Sequence, residues 1–388
     1  MTNEELWALL QERAVETHVP DHLKARLLRG DRLRVKLGCD PTAPDLHVGH
    51  LVPLDILRAF QDAGHTVVYI VGDYTALIGD PSGRSDTRPA LSREQVDENA
   101  RTYFGQVGRV LDESKIEVHG NAEWLGELGA EGTLRLLSKQ TLQAVLQRED
   151  FDTRLKEGLP ISAHEILYPF NQAYDSVAVR ADVEIGGTDQ LFNLLFGRDI
   201  QRAYGQEPQD VMVFPLLEGI DGVRKMSKSV GNYIGLTDPP SEMYGKVMSL
   251  PDTLTEKYVR LVSDLPKPEQ EEVLARSPRD AKAALARALV TRLHGPEAAR
   301  EAEEDFDRKF RRHDLEHAQV PVVEVVPGAT VAELLVAAGA VRSLSHARRL
   351  AEQGGLSVAG EKVSHDRPVG DGEIVKAGKR TFVRASVR

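Results

Sequence analysis

The chain is expected to fold as an α/β protein, with a parallel-sheet domain first, a helical domain next and a small α+β unit last. Three observations predict this order. Strand-like and helix-like segments alternate through the first half, strand signals vanish between residues 239 and about 317, and a basic segment with helix, strand and turn patterns closes the chain. Residues 1–230 are expected to form the parallel-sheet domain with a helical insertion, 231–318 the helical domain, and 329–388 the small unit.

The first strand is expected at residues 34–37, followed by a helix over about 52–63 and the apolar strand 66–71, which together read as βαβ. Shorter apolar runs at 116–118, 183–185 and 211–217 supply further strands of the same sheet. After residue 239, stretches such as 281–293 have the Ala, Leu and Arg content of helix. Residues 320–328, with two prolines and five valines, break that pattern and read as a linker.

A chain of 388 residues is too long for one compact core, and its 41% hydrophobic content is enough to bury two or three. No apolar run approaches the ~18 residues that span a bilayer. The first ten residues carry Glu4 and Glu5 where a secretory signal carries positive charge, so a cytoplasmic protein without membrane attachment is expected. The single cysteine, Cys39, cannot form an internal disulfide and reads as a small filler residue. No Cys or His cluster has zinc spacing, so any metal is expected to arrive with a substrate. The net charge of −11 argues against non-specific coating of nucleic acid. It conceals an asymmetry: residues 341–388 hold ten Lys and Arg against five Asp and Glu, which leaves −16 on the rest.

Two segments look built for phosphate. Gly38-Cys39-Asp40-Pro41-Thr42-Ala43-Pro44-Asp45-Leu46-His47-Val48-Gly49-His50 lies between the first strand and its helix, where backbone N–H groups and the helix dipole collect anions. Gly49 lets a nucleotide approach the backbone there. Lys225-Met226-Ser227-Lys228-Ser229, bracketed by Gly222 and Gly231, offers two ammonium groups and two hydroxyls to a triphosphate whose charge redistributes. A specified pentapeptide arises by chance in such a chain roughly once in ten thousand.

This pair of motifs resembles the signatures of class I aminoacyl-tRNA synthetases. The resemblance implies a Rossmann-like catalytic domain in which His47, His50 and Lys228 bind ATP phosphates and stabilise the transition state of adenylation, with Lys225 as a further catalytic residue. It also implies Mg²⁺ carried by ATP, and a homodimer.

Tyr168, Gln172 and Asp175 stand at i, i+4 and i+7 in Tyr168-Pro169-Phe170-Asn171-Gln172-Ala173-Tyr174-Asp175, so a helix would put them on one face, with Pro169 in its first turn. Such a face can hold a zwitterion and one further polar group. Glu184-Ile185-Gly186-Gly187-Thr188-Asp189-Gln190 follows at a strand end, where open α/β sheets bind ligands, and Asp189 there could accept from ribose hydroxyls. Ile78-Gly79-Asp80-Pro81-Ser82-Gly83 is a third polar turn after a strand.

Together these segments resemble the tyrosyl-tRNA synthetases over nearly the whole chain. The resemblance implies that Asp80, Tyr168, Gln172 and Gln190 hold tyrosine, with Asp175 on the phenol hydroxyl. It places Gly38, Asp40, Gly49, Gly187 and Asp189 against ATP and the adenylate, alongside His47, His50 and Lys228. Lys36 departs from the subgroup that has a tyrosine there and, with Lys-Met-Ser-Lys-Ser, resembles a second bacterial subgroup; Pro53 and Glu184 also differ. Tryptophanyl-tRNA synthetase shares both signatures, and a catalytically silent RNA-binding paralogue is a further alternative. The Tyr168, Gln172, Asp175 face and the basic tail favour tyrosine.

In that tail, residues 343–350 read as a short basic helix leading into strand, turn and strand over 354–363. Arg348, Arg349, Lys362, Lys379 and Arg380 could track a phosphate backbone. The pattern resembles the S-four type of RNA-binding domain and implies tRNA(Tyr) as partner.

Overall fold

The structure, a computed structural model, describes residues 1–82, 91–228, 230–312, 320–378 and 381–388. A six-stranded sheet forms the first half: β1 (Glu16–His18), β2 (Arg34–Cys39), β3 (Thr66–Val71), β4 (Ile116–Gly120), β5 (Val183–Gly187) and β6 (Asp210–Phe214). Its order is β1-β6-β5-β2-β3-β4, parallel throughout except for β1, which pairs antiparallel with β6. The chain winds from β2 outward through β3 to β4, then returns to build β5 and β6 on the other side. The switch point therefore lies between β2 and β5, and ligands of such sheets bind at the carboxyl ends of the strands there.

The expected strands are all present, with β2 and β5 each extending two residues further toward that switch point. The run expected over 211–217 ends as strand at Phe214, because Pro215 has no N–H to continue a ladder. β1 is an addition: three residues, two of them exposed, carry too short a pattern to read. β3 is buried along five of its six residues, as expected of a strand covered on both faces.

The helix Leu51–Asp62 buries residues around most of its circumference because the sheet lies on one side and the helical domain on the other. That domain comprises the helices Pro240–Met248, Thr255–Val262, Lys267–Leu274, Pro278–His294 and Pro296–Asp307. Its apolar faces, including Tyr258, Leu285 and Leu289, join the same core as Val35, Phe60 and Met212 of the sheet domain. Arg292 ties the two further through Asp55. The helical insertion before β5 has a separate core around Phe151, Phe170 and Phe196, with Phe170 and Phe196 edge to face at 5.0 Å.

The C-terminal unit corrects one expectation. Residues 320–328 are not simply a linker: β7 (Val322–Val325) pairs in parallel with β11 (Thr381–Val387). The five-stranded order is β7-β11-β10-β8-β9, with β8 (Leu356–Val358), β9 (Glu361–Val363) and β10 (Ile374–Ala377). The valine run that breaks a helical pattern does so because it is an edge strand. This unit has its own core, and Phe310 of the preceding segment meets Phe382 at 5.6 Å beside Val320 and Ile374.

Candidate active site

At the switch point a cleft of about 1240 Å³ opens over the carboxyl ends of β2 and β5. Every residue assigned from sequence to a small-molecule role lines it: Gly38, Asp40, His47, Gly49, His50, Asp80, Tyr168, Gln172, Asp175, Gly187, Asp189, Gln190, Lys225 and Lys228. Pro53 and Glu184 line it as well, whereas Lys36 does not.

One end is closed and densely bonded. The helix Leu167–Ala178 turns Tyr168, Gln172 and Asp175 toward the sheet, as their spacing predicts. Tyr168 Oη donates to Asp40 Oδ2 at 2.9 Å, and Thr75 Oγ1 donates to Asp40 Oδ1 at 2.7 Å. Burial pushes the Asp40 carboxyl up to about 7 against these donors, with Asp80 adding to the rise. Asp80 Oδ1 accepts from Ser82 N and Oγ and from Arg148 Nη2 at 2.9 Å, and its Oδ2 accepts from Gln190 Nε2 at 2.8 Å. Burial alone would raise Asp80, but the Arg148 guanidinium and these hydrogen bonds outweigh it and hold the carboxyl below its ordinary value. Asp175, 3% exposed, accepts from Trp124 Nε1 at 2.8 Å and from Asn121 Nδ2 at 3.2 Å. Burial pushes Asp175 up to about 7, opposed first by the Lys36 ammonium.

Arg148, Thr75, Asn121 and Trp124 were not legible as site residues. Arg148 comes from the insertion, far from any motif, and donates also to Asp150 and Asn193. Gly72, just past β3, carried the one usable signal, a glycine at a strand's carboxyl end. A Cβ on it would stand 2.0 Å from Asp40 Oδ1 and 2.4 Å from Thr75 Oγ1, so only glycine lets that pair form.

The other end is built from the two phosphate segments, which are laced together. Val48 N donates to Ile234 O at 2.8 Å and Leu236 N to Leu46 O at 2.9 Å, a short antiparallel bridge centred on His47 and Gly235. The His47 and His50 rings lie 3.9 Å apart. His50 Nδ1 stands against the backbone of its own turn, 3.1 Å from His47 N and 3.2 Å from His47 O. Burial lowers both imidazoles, His50 to about 4, and the neighbouring lysines lower them further; both are neutral at pH 7. A Cβ on Gly49 would press on the His47 ring at 3.0 Å, while one on Gly38 would meet no protein atom within 4 Å and would project into open space.

Met226, 1% exposed, anchors the lysine loop in the core. Asn232 organises it: its Oδ1 accepts from Ser227 N at 2.8 Å and its Nδ2 donates to the carbonyls of Arg224 and Lys225. Lys225 forms an ion pair with Asp189, so the carboxylate expected to meet a ribose is here engaged by the loop. Lys228 Nζ is shielded from solvent, 5.9 Å from the centre of the Tyr233 ring, and has no hydrogen-bond partner among the described residues. His47 Nδ1 shares that condition. Ser229 and Gly83 lie outside the described residues.

In the C-terminal unit Arg348 and Arg349 are exposed on the helix Leu344–Glu352, and Lys362 is exposed on β9. Arg348 Nε stands 3.7 Å from Asp366. Lys379 and Arg380 lie outside the described residues. Among the described residues no group of three or more His, Cys, Asp or Glu is placed to hold a metal ion, and no helix is long and apolar enough to cross a membrane.

The parallel sheet brings the histidine and lysine loops together at its switch point, and residues 28–311 match the family of class I tRNA synthetases (W and Y), to which the chain belongs. Its relatives separate the two amino acids that the family covers. The tyrosine–tRNA ligase of Thermotoga maritima is 49% identical over 395 residues, covering 100% of this chain and 98% of that protein. The tyrosine–tRNA ligase of Aquifex aeolicus is 50% identical over 389 residues, covering 99% of each. Among solved structures, the tyrosyl-tRNA synthetase of Archaeoglobus fulgidus complexed with L-tyrosine aligns with a TM-score of 0.63 at 23% identity, over 78% of this chain and 100% of that one. The tryptophanyl-tRNA synthetase of Plasmodium falciparum aligns at 0.61 and 16% identity, over 78% and 87%. At those identities the structures speak to the fold alone.

Proposed function

We propose that the protein is a tyrosine:tRNA ligase, which activates L-tyrosine with ATP to tyrosyl-adenylate and pyrophosphate and then transfers the tyrosyl group to the 3′ end of tRNA(Tyr). The observation that carries this reading is the single cleft that sets the Tyr168, Gln172, Asp175 face opposite two histidines and two lysines. Asp80, Tyr168, Gln172 and Gln190 hold the tyrosine ammonium end, and Asp175 accepts from the phenol. A tyrosine carboxylate oxygen attacks the α-phosphorus, the new O–P bond forms, and the bond to the pyrophosphate oxygen breaks.

The attacking carboxylate is already ionised at pH 7, so the step needs charge stabilisation and positioning more than a base. His47 and His50, neutral N–H donors, and Lys225 and Lys228, cations, serve the phosphates as negative charge moves toward the leaving group. Gly38 leaves room for the nucleotide, whereas Gly49 and Gly187, where a side chain would strike the His47 ring and Leu216, keep the site's walls closely packed; Asp40 and Asp189 contact the adenylate. Mg²⁺ enters with ATP as part of the substrate. A ribose hydroxyl of the tRNA end then attacks the tyrosyl carbonyl and releases AMP.

The same reading divides the chain into a catalytic domain over 1–230, a helical tRNA-binding domain over 231–318 and an RNA-binding unit that begins with β7 rather than at residue 329. Arg348, Arg349, Lys362, Lys379 and Arg380 contact tRNA phosphates, the active species is a homodimer, and the compartment is the cytoplasm. The test is pyrophosphate exchange with each amino acid in turn. Exchange with tyrosine is expected; exchange with tryptophan instead, or with none, overturns the reading.

A further inference from the structure

The side chain of Lys36 is fully buried beneath the amino-acid end of the cleft without lining it. It sits on β2 directly opposite Glu184 of β5, at the switch point itself. Its ammonium makes three contacts: Glu184 Oε1 at 2.9 Å, Ser176 Oγ at 2.7 Å and the carbonyl of Gln172 at 3.1 Å. Ser176 Oγ donates in turn to Glu184 Oε2 at 3.0 Å, and Gln209 Nε2 donates to the same oxygen. Every hydrogen of the ammonium is thus used inside the protein, and none is left for a ligand.

Gln172 and Ser176 are one helical turn apart and bracket Asp175 in sequence, so the ammonium is fixed beside the backbone that presents that carboxylate. Trp124 and Asn121, from the segment after β4, are neutral donors, with the His119 ring 5.8 Å behind the indole. Asp40 at the end of β2 and Glu184 on β5 are acidic, and Asp80 across the cleft is matched by Arg148. Among the described residues, Lys36 is the cation that acts most strongly on Asp175.

We propose that Lys36 is a positioning residue for amino-acid choice: its buried ammonium, fixed on the Gln172 carbonyl and the Ser176 hydroxyl that flank Asp175, favours the carboxylate there over the neutral carboxyl, and a phenol hydroxyl can satisfy that carboxylate where a phenyl ring cannot. This rests on the reading that the cleft binds tyrosine. An ionised carboxylate left without a partner costs far more than a neutral carboxyl in the same place. The state of Asp175 therefore sets how strongly phenylalanine is refused, while tyrosine can bond to either form.

The test uses the full-length protein and pyrophosphate exchange, with kcat/KM for tyrosine and for phenylalanine from pH 6 to 9. Lys36→Met combined with Glu184→Gln removes both charges, so neither is stranded. The tyrosine-to-phenylalanine ratio is expected to fall about fivefold near pH 7, since a one-unit rise of the carboxyl takes its ionised fraction there from about one half to about one tenth, and to recover toward pH 9. A ratio that stays at the parent value throughout, or falls equally at every pH, overturns the proposal, the latter pointing to loosened packing alone. Glu184→Gln by itself gives an independent decision should the double variant not fold. It keeps the ammonium and removes an opposing charge, so the high ratio must extend to lower pH, and a shift to higher pH overturns the proposal. Failure of the parent protein to use tyrosine would instead overturn the functional reading.

Discussion

At the amino-acid end of the cleft, Asp40, Asp80 and Asp175 each accept at least two hydrogen bonds. At the nucleotide end, His47 Nδ1 and Lys228 Nζ are shielded from solvent and bond to nothing among the described residues. Burying a polar group without a partner costs about 1–3 kcal/mol, more for a charge. Apart from Gln172 Oε1, which also lacks a partner among the described residues, the first region is organised before substrate arrives, which suits discrimination between similar side chains. The second stores unsatisfied donors and positive charge, which a polyanion relieves as it binds and reacts.

Removing a charge from the unsatisfied end should give the largest effect. Lys228→Ala is expected to lower the single-turnover rate of adenylate formation about 10²- to 10³-fold while changing tyrosine affinity little. Loss confined to tyrosine affinity would erase the distinction between the two ends. A smaller loss, in selection rather than rate, is expected at the organised end. Asp175→Ala should cut the ratio of kcat/KM for tyrosine over phenylalanine by about 10- to 100-fold, the cost of one unpaired buried hydroxyl or carboxylate. A folded variant that still refuses phenylalanine as its parent does would place selection elsewhere.

Organisation in advance has a cost in stability that pH exposes. Asp40 and Asp175 are both raised to about 7 in the folded state, above the unfolded value of about 3.9. The folded protein then holds protons that the unfolded chain has released. Their contribution is present below pH 4, erodes as pH rises, and is lost once pH passes about 7. Asp175→Asn should therefore raise the thermal midpoint at pH 8 relative to its effect at pH 5, by on the order of 2 °C. Comparing variant with parent cancels the slope from His47 and His50, which runs the opposite way. A midpoint difference independent of pH would mean that Asp175 is ionised without strain.

The smallest effect belongs to the tail, whose exposed cations act through solvent. Arg348→Ala with Arg349→Ala should weaken tRNA binding a few-fold and reduce the slope of log affinity against log salt by roughly one to two. Pyrophosphate exchange should be untouched. An unchanged salt slope would remove these two side chains from the RNA surface.

Much of the sheet was legible because its strands are short, Val-rich and bounded by helices, as in Thr66–Val71. The small-molecule face was legible because helical spacing put Tyr168, Gln172 and Asp175 together before any contact was known. What escaped reading acts across sequence distance. Arg148 meets Asp80 from 68 residues away, Trp124 meets Asp175 from 51, and Gly72 matters for the atoms a side chain there would strike. Asn232 stands close to the lysine loop, yet an asparagine beside a turn gives no sign that three backbone groups depend on it. The strand Val322–Val325 reads as a linker from sequence because its pairing partner, Thr381–Val387, lies some sixty residues further along.

The bridge between Leu46–Val48 and Ile234–Leu236 bears on how this protein could be recombined with its relatives. The two segments are nearly 190 residues apart in the chain but form one backbone ladder. A chimera with its crossover between them would pair one parent's histidine loop with the other's lysine segment, and the register of two hydrogen bonds would have to survive the exchange. Crossovers that carry both segments from one parent keep the ladder whole, so in inheritance and in engineering these distant stretches behave as a single block.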